Sequence, residues 1–168
     1  MPVFERGDMW RKFDDQKVLF VFTANSVVKA NGELVMGRGI ARDVRDRLPG
    51  IARRFGQLIQ AQTFSDDYGL LILDFHNHKI GAFQVKTDFR EAASPKLIKA
   101  AATKLAAWAN AHWDYEVHLN YPGIGNGRLP EEVVEPLLKE LPSNVHVWRY
   151  ATGDDRLGEG GNDNGEDS

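Results

Sequence analysis

Apolar residues along this chain come in two rhythms that alternate from end to end. Val18 to Phe22 (VLFVF) is a continuous, β-rich apolar run, the pattern of a strand covered on both faces. Beyond it Ile40, Val44 and Leu48 recur at four-residue spacing with charges between them, which predicts a one-sided helix from Gly39 to Leu48. Pro49-Gly50 ends that helix, and Ile51 to Leu58 resumes as a further turn or two. Leu70 to Phe75 (LLILDF) and Ile80 to Val85 (IGAFQV) flank Asn77-His78 and predict an antiparallel hairpin. Ser94-Pro95 supplies an N-cap and a first-turn proline. The helix after it places Leu97, Ile98, Ala101, Ala102, Leu105, Trp108, Ala109 and Trp113 on one broad face, with both tryptophans in the core.

Tyr115 to Asn120 reads as a strand, Pro130 opens a third helix carrying Val133, Val134, Leu137, Leu138 and Leu141, and Asn144 to Tyr150 alternates as a last strand. A short strand from Met1 to Glu5 opens the chain, and Arg6 to Trp10 forms a turn. Strands alternating with helices predict an α/β fold, a three-layer α/β/α sandwich with a central mixed β-sheet, the mixture coming from the hairpin. In such sheets ligands bind at the carboxyl ends of the strands.

Composition narrows this to one domain over residues 1–150 and a tail over 151–168. The tail is acidic and rich in Gly, Asp and Asn, with Leu157 as its one large apolar residue, so it is expected to be disordered. A net charge of −3 gives no global case for nucleic acid, so any such contact needs a local basic patch. Arg42, Arg45, Arg47, Arg53 and Arg54 are candidates for one, or else simply a solvated face. The absence of cysteine excludes disulfides, thiolate metal sites and cysteine nucleophiles. No apolar run approaches the roughly 20 residues of a membrane span, so a cytoplasmic location without membrane contact is expected. A monomer is expected as well. The five histidines show no metal spacing, and no cofactor is implied.

Chemistry enters with two glycine-rich loops, Gly37-Arg38-Gly39-Ile40 and Gly123-Ile124-Gly125-Asn126-Gly127, each following a buried strand and leading to a helix. Glycines let a phosphate approach backbone N–H groups, and a helix start adds its dipole. Two such loops on one sheet edge can hold a diphosphate between them. Three other residues carry a functional and a bland reading. Asp8 is either a ligand contact or a helix N-cap. Asn25 is either a ligand contact or a turn residue satisfying its own backbone. Lys86 either snorkels at the surface or acts as acid, base or nucleophile with a lowered pKa.

These segments together resemble the macrodomain family, whose members bind ADP-ribose. Gly7-Asp8-Met9 resembles the family's early G-D-I, whose aspartate accepts a hydrogen bond from the adenine amino group. Val21 to Ser26 (VFTANS) resembles V-N-A-A-N-S, whose last asparagine holds the distal ribose. Val35 to Ala41 (VMGRGIA) resembles V-M-G-K-G-I-A, the first phosphate loop, and Pro122 to Gly127 resembles the second. Within the family the match is nearest to the DarG-type branch, which removes ADP-ribose from DNA bases. Phe83 to Arg90, followed by Ser94, resembles that branch's F-P-T-K-x-x-W-R…S, whose catalytic lysine falls on Lys86.

The resemblance therefore implies ligand contacts at Asp8, Met9, Asn25, Met36, Gly37, Arg38, Gly39, Ile40 and Gly123 to Gly127, and catalysis by Lys86 with Asn25. Asn31 competes with Asn25 for the ribose, because the loop between Asn25 and Met36 is longer than in that branch. Phe22 replaces a first asparagine, Gln84 replaces the proline, and no aspartate lies between Gly123 and Leu129. The implied activity is hydrolytic removal of ADP-ribose from a modified macromolecule, nucleic acid ahead of protein. The alternatives are an ADP-ribose 1″-phosphate phosphatase and a non-catalytic reader.

Overall fold

The structure, a computed structural model, describes residues 1–62 and 67–149. Among the described residues the two apolar rhythms become six strands and four α-helices: β1 (Val3–Arg6), β2 (Val18–Ala24), α1 (Gly39–Arg47), α2 (Ile51–Gln60), β3 (Leu70–Phe75), β4 (His78–Gln84), α3 (Pro95–Ala111), β5 (Glu116–Asn120), α4 (Glu131–Val134) and β6 (Val145–Arg149). The strands form one sheet in the order β1-β6-β5-β2-β4-β3. All neighbours run parallel except β3 against β4, so the sheet is mixed as the hairpin predicts. Among the described residues no helix is long and apolar enough to cross a membrane.

Strand β2 is central and covered on both faces, which is why its sequence is apolar without alternation. Phe20, Phe22 and Ala24 pack with Ile40 and Val44 of α1 and Ile51 and Phe55 of α2 on one side. Leu19 and Val21 pack with Ile98, Ala101, Leu105 and Ala109 of α3, and with Val134, on the other. Three layers result, and the carboxyl ends of β2, β4, β5 and β6 all point to one edge.

Several elements differ from the sequence expectation, each for a local reason. The final helix breaks after Val134 and continues as a 3-10 turn over Glu135–Leu138, because Pro136 cannot donate an α-helical hydrogen bond and its ring crowds the preceding turn. Val133 is consequently turned outward. Helix α3 stops at Ala111 with His112 as its C-cap, so Trp113 lies past the helix and is 80% exposed rather than in the core. Trp108 is half-buried and stacks on His112, their centroids 3.9 Å apart. Helix α2 is a full ten residues. The hairpin turns one residue earlier than expected, on His76 and Asn77, both with positive φ. The tail expectation over 151–168 lies outside the described residues.

Candidate functional site

The floor of the site is a fork in the sheet. Backbone pairing between β2 and β5 ends at Val21–Leu119, whereas β2 and β4 stay paired to Ala24–Gln84. Beyond the last β2–β5 pair, a side chain does the bridging. Asn120 accepts from the Thr23 N–H at 3.1 Å and donates through Nδ2 to Thr23 Oγ1 at 2.9 Å. The loop after β2 and the loop after β5 part at this point, which is where an open α/β sheet offers a crevice.

The loop after β2 is held by Asn25. Its Oδ1 accepts from Val27 N at 2.8 Å, an Asx turn, and its Nδ2 donates to Val35 O at 3.0 Å across the loop. The Asn25 carbonyl accepts from the Tyr68 hydroxyl at 2.7 Å. Tyr68 is fully buried, and burial raises its phenol well above the ordinary range. Ser26 ties this loop to the next, donating through both N–H and Oγ to Thr87 O. Asn31 sits apart. It is exposed, caps the Glu33 N–H with its own Oδ1 at 3.0 Å, and belongs to a segment bound to α2 through Leu34 N to Ala52 O. That segment approaches so closely that a Cβ on Gly56 would stand 1.9 Å from Gly32 O. Of the two asparagines, Asn25 is the one at the end of the central strand.

Met36 and Ile40 are buried on either side of Gly37-Arg38-Gly39, and Arg38 in extended backbone precedes the first turn of α1. The second loop starts at Tyr121, whose N–H donates to Trp148 O, and closes with Leu129 N to Gly123 O. Its glycines differ in purpose. Gly123, at φ +83°, is packed so tightly that a Cβ would meet Ile98 Cδ1 at 2.6 Å, while Gly125, at φ +63°, faces open space. Ile124 leads into the 3-10 turn Gly125–Gly127, whose first N–H groups have no partner within the turn itself.

Lys86 lies against the second loop. It follows β4, is 9% exposed, and its Nζ donates to Asn126 O at 3.5 Å. Burial lowers its pKa most, and the cations Arg128 and Arg38 lower it further, against weaker support from Glu91 and Asp88. Asp88 is itself committed to Arg90, whose guanidinium holds its carboxyl down at about 2. Arg128, in the left-handed region, donates to Arg90 O. Arg38, beside the first glycine loop, and Arg128, at the end of the second, thus both lie close enough to Lys86 to act on its charge.

Gln84 carries no motif of its own in the sequence, yet it organises this corner. Fully buried, it accepts from Gly69 N at 3.0 Å and donates to Lys86 O at 3.4 Å. An amide can make both contacts and a proline neither. The sequence signals are a polar residue ending an apolar strand and the departure from the proline of the resembled motif.

Asp8 serves as the N-cap of the 3-10 turn Met9–Lys12, its Oδ1 accepting from Trp10 N at 3.0 Å, with the side chain exposed and Met9 buried beneath. The arginines of α1 and α2 are divided. Arg47 lies over the Trp10 ring at 4.0 Å and Arg54 near Phe75, so these two cover aromatic surface.

No family model matches the chain, and no curated protein is similar to it. Solved structures are. The macrodomain of Mycobacterium tuberculosis DarG superposes with a TM-score of 0.66 at 22% identity, over 88% of this chain and 97% of that one. The macrodomain of Thermus aquaticus DarG gives 0.67 at 22% identity, over 89% and 97%. Thermosipho africanus DarTG in complex with ADP-ribose gives 0.62 at 20% identity, over 84% of this chain and 39% of that one. The sheet order, the two helical layers and these superpositions show that the chain has the macrodomain fold. Among folds of this class it is similar to the DarG macrodomains.

Proposed function

We propose that this protein binds ADP-ribose in the cleft between its two glycine loops and releases it by hydrolysis from a modified macromolecule, nucleic acid ahead of protein. The observation that carries the reading is Lys86: a buried amine against the second loop, under the electrostatic influence of Arg38 and Arg128. The diphosphate lies between Gly37–Ile40 and Gly123–Gly127, held by loop N–H groups and the cations. Asp8 and Met9 receive the adenine, and Asn25 orders the distal ribose. Asn25 is already clamped to Val27 and Val35, so it offers its remaining donor and lone pair from a fixed position.

Hydrolysis breaks the bond from C1″ to the carrier atom, whose electron pair leaves with the carrier, while a water oxygen bonds to C1″. The lowered pKa enlarges the neutral-amine fraction of Lys86, the form able to take the proton from that water. No residue of the second loop supplies a carboxylate for this, so the lysine works without an aspartate partner there.

The test is calorimetric titration with ADP-ribose and, alongside it, ADP, which lacks the distal ribose. Micromolar binding, about −8 kcal/mol, that weakens for ADP is the expected result. Binding of neither would overturn the ligand assignment, and binding without turnover of modified DNA, RNA or protein would make the chain a reader.

A further inference from the structure

We propose that Tyr68 and Gln84 are positioning residues for Asn25 and Lys86, and that segment 67–69, pinned from α3 by Lys104, is the common brace through which both act. This deepens the reading of the site given above and rests on it. The paired register of β2 and β4 ends at Ala24–Gln84, so Asn25 and Lys86 both lie beyond it. Side chains take over from there. The Asn25 carbonyl accepts from the Tyr68 hydroxyl at 2.7 Å. The Lys86 carbonyl accepts from Gln84 Nε2 at 3.4 Å, and Gln84 Oε1 accepts from Gly69 N at 3.0 Å. The two residues assigned to the reaction are thus held from adjacent positions, Tyr68 and Gly69, of one short segment. Strand β4 is tied to the same segment, because Gln84 N donates to Gly69 O at 2.8 Å and Gln84 Nε2 lies 3.4 Å from Asp67 Oδ1.

The segment is itself fixed from the helical layer. Lys104 of α3 donates through Nζ to Tyr68 O at 2.9 Å. Its stem runs so close to Gly69, at φ +73°, that a Cβ there would stand 3.0 Å from Lys104 Cδ. Glycine is needed at this position both for the left-handed backbone and for the approach of the lysine. Tyr68 and Gln84 are fully buried, so neither can exchange its protein partner for water while the core stays closed. Lys104 is exposed, which makes it a surface handle on the brace. A displacement of about 1 Å at a reacting group can cost on the order of 100-fold in rate, so small shifts in this brace are enough to be read in turnover.

Three full-length variants test it. Gln84→Met keeps the side-chain length and loses the amide contacts, Lys104→Met keeps the stem and loses the donor, and Lys104→Arg restores a donor. On an ADP-ribosylated DNA oligonucleotide, kcat should fall on the order of 100-fold in Gln84→Met and about 3–10-fold in Lys104→Met, with KM within about twofold of wild type. Lys104→Arg should recover most of the loss. With isotope-labelled lysine, the NMR titration midpoint of Lys86 should rise toward the ordinary lysine value in both methionine variants, because a released ammonium regains water. A folded Gln84→Met with wild-type kcat and an unmoved midpoint overturns the proposal. If Gln84→Met does not fold, Lys104→Met decides: wild-type kcat and midpoint there overturn the brace, as does a Lys104→Arg no faster than Lys104→Met. If the wild-type chain leaves the oligonucleotide intact, the hydrolase reading fails on that carrier, while the Lys86 midpoints still decide the brace.

Discussion

Lys86 is held against its own charge, and that has a thermodynamic signature separate from any activity. Its folded-state pKa lies below the ordinary 10.5, so the unfolded chain binds more protons across the interval between the two values. Stability must therefore rise with pH through that interval, and below it the full cost of the buried ammonium is present. Lys86→Met removes this cost. We expect it to abolish turnover while raising stability at pH 7 by about 0.5–2 kcal/mol, read by urea unfolding. A loss of stability would show that the ammonium is a structural contact rather than a strained functional one. Tyr68→Phe tests the neighbouring asparagine. It strands the buried Asn25 carbonyl and should cost about 1–3 kcal/mol, with a larger fractional loss of ADP-ribose affinity than of ADP affinity in the same titrations. The sequence leaves Asn25 a turn reading and a ligand reading; the structure shows the backbone contacts of a turn residue at Asn25 and sets Asn31 apart against α2.

At the scale of elements, β5 carries a buried histidine with a defined proton. The Trp148 indole can only donate, so His118 Nδ1, 2.9 Å away, must accept, and Nε2–H donates to Glu116. Burial lowers the His118 pKa first, and His146 and Lys12 lower it further against Glu116. Acid must charge this group on unfolding, so stability falls as pH drops below about 6.5. His118→Phe should flatten the decline in melting temperature between pH 6.5 and 5, while lowering overall stability because Trp148 is left without its acceptor. Gly56 sits in the middle of α2, where alanine would ordinarily gain about 1 kcal/mol. Here its Cβ would collide with Gly32 O, so Gly56→Ala should instead destabilise by about 1–3 kcal/mol. Most elements are legible because burial on one or both faces writes itself into apolar spacing. Trp113 and the broken last helix are not. Periodicity continues past Ala111 without saying that the helix ends, and apolar residues after Pro136 conceal the missing N–H donor. The roles of Gln84 and Asn120 are not legible for another reason: their partners lie across the fold, and no local spacing encodes them.

For the whole molecule, the anion cleft and the arginines of α1 and α2 make different claims that can be separated by salt. If modified DNA or RNA is the carrier, Arg42→Glu with Arg53→Glu should weaken carrier binding and reduce its salt slope by about 0.9 for each phosphate no longer neutralised. Free ADP-ribose affinity should not change. An unchanged slope would assign that face to solvent. The fork in the sheet has its own consequence. The Thr23 amide proton is shielded by one asparagine side chain rather than by a paired strand. Its exchange with solvent deuterium requires a single bond rotation at Asn120, whereas exchange at Val21, within the paired strands, requires the sheet to open. A clock thus runs at the floor of the cleft, ticking faster than its neighbours in the same strand and slowed by whatever molecule comes to rest on the fork, whether or not that molecule is ever cleaved.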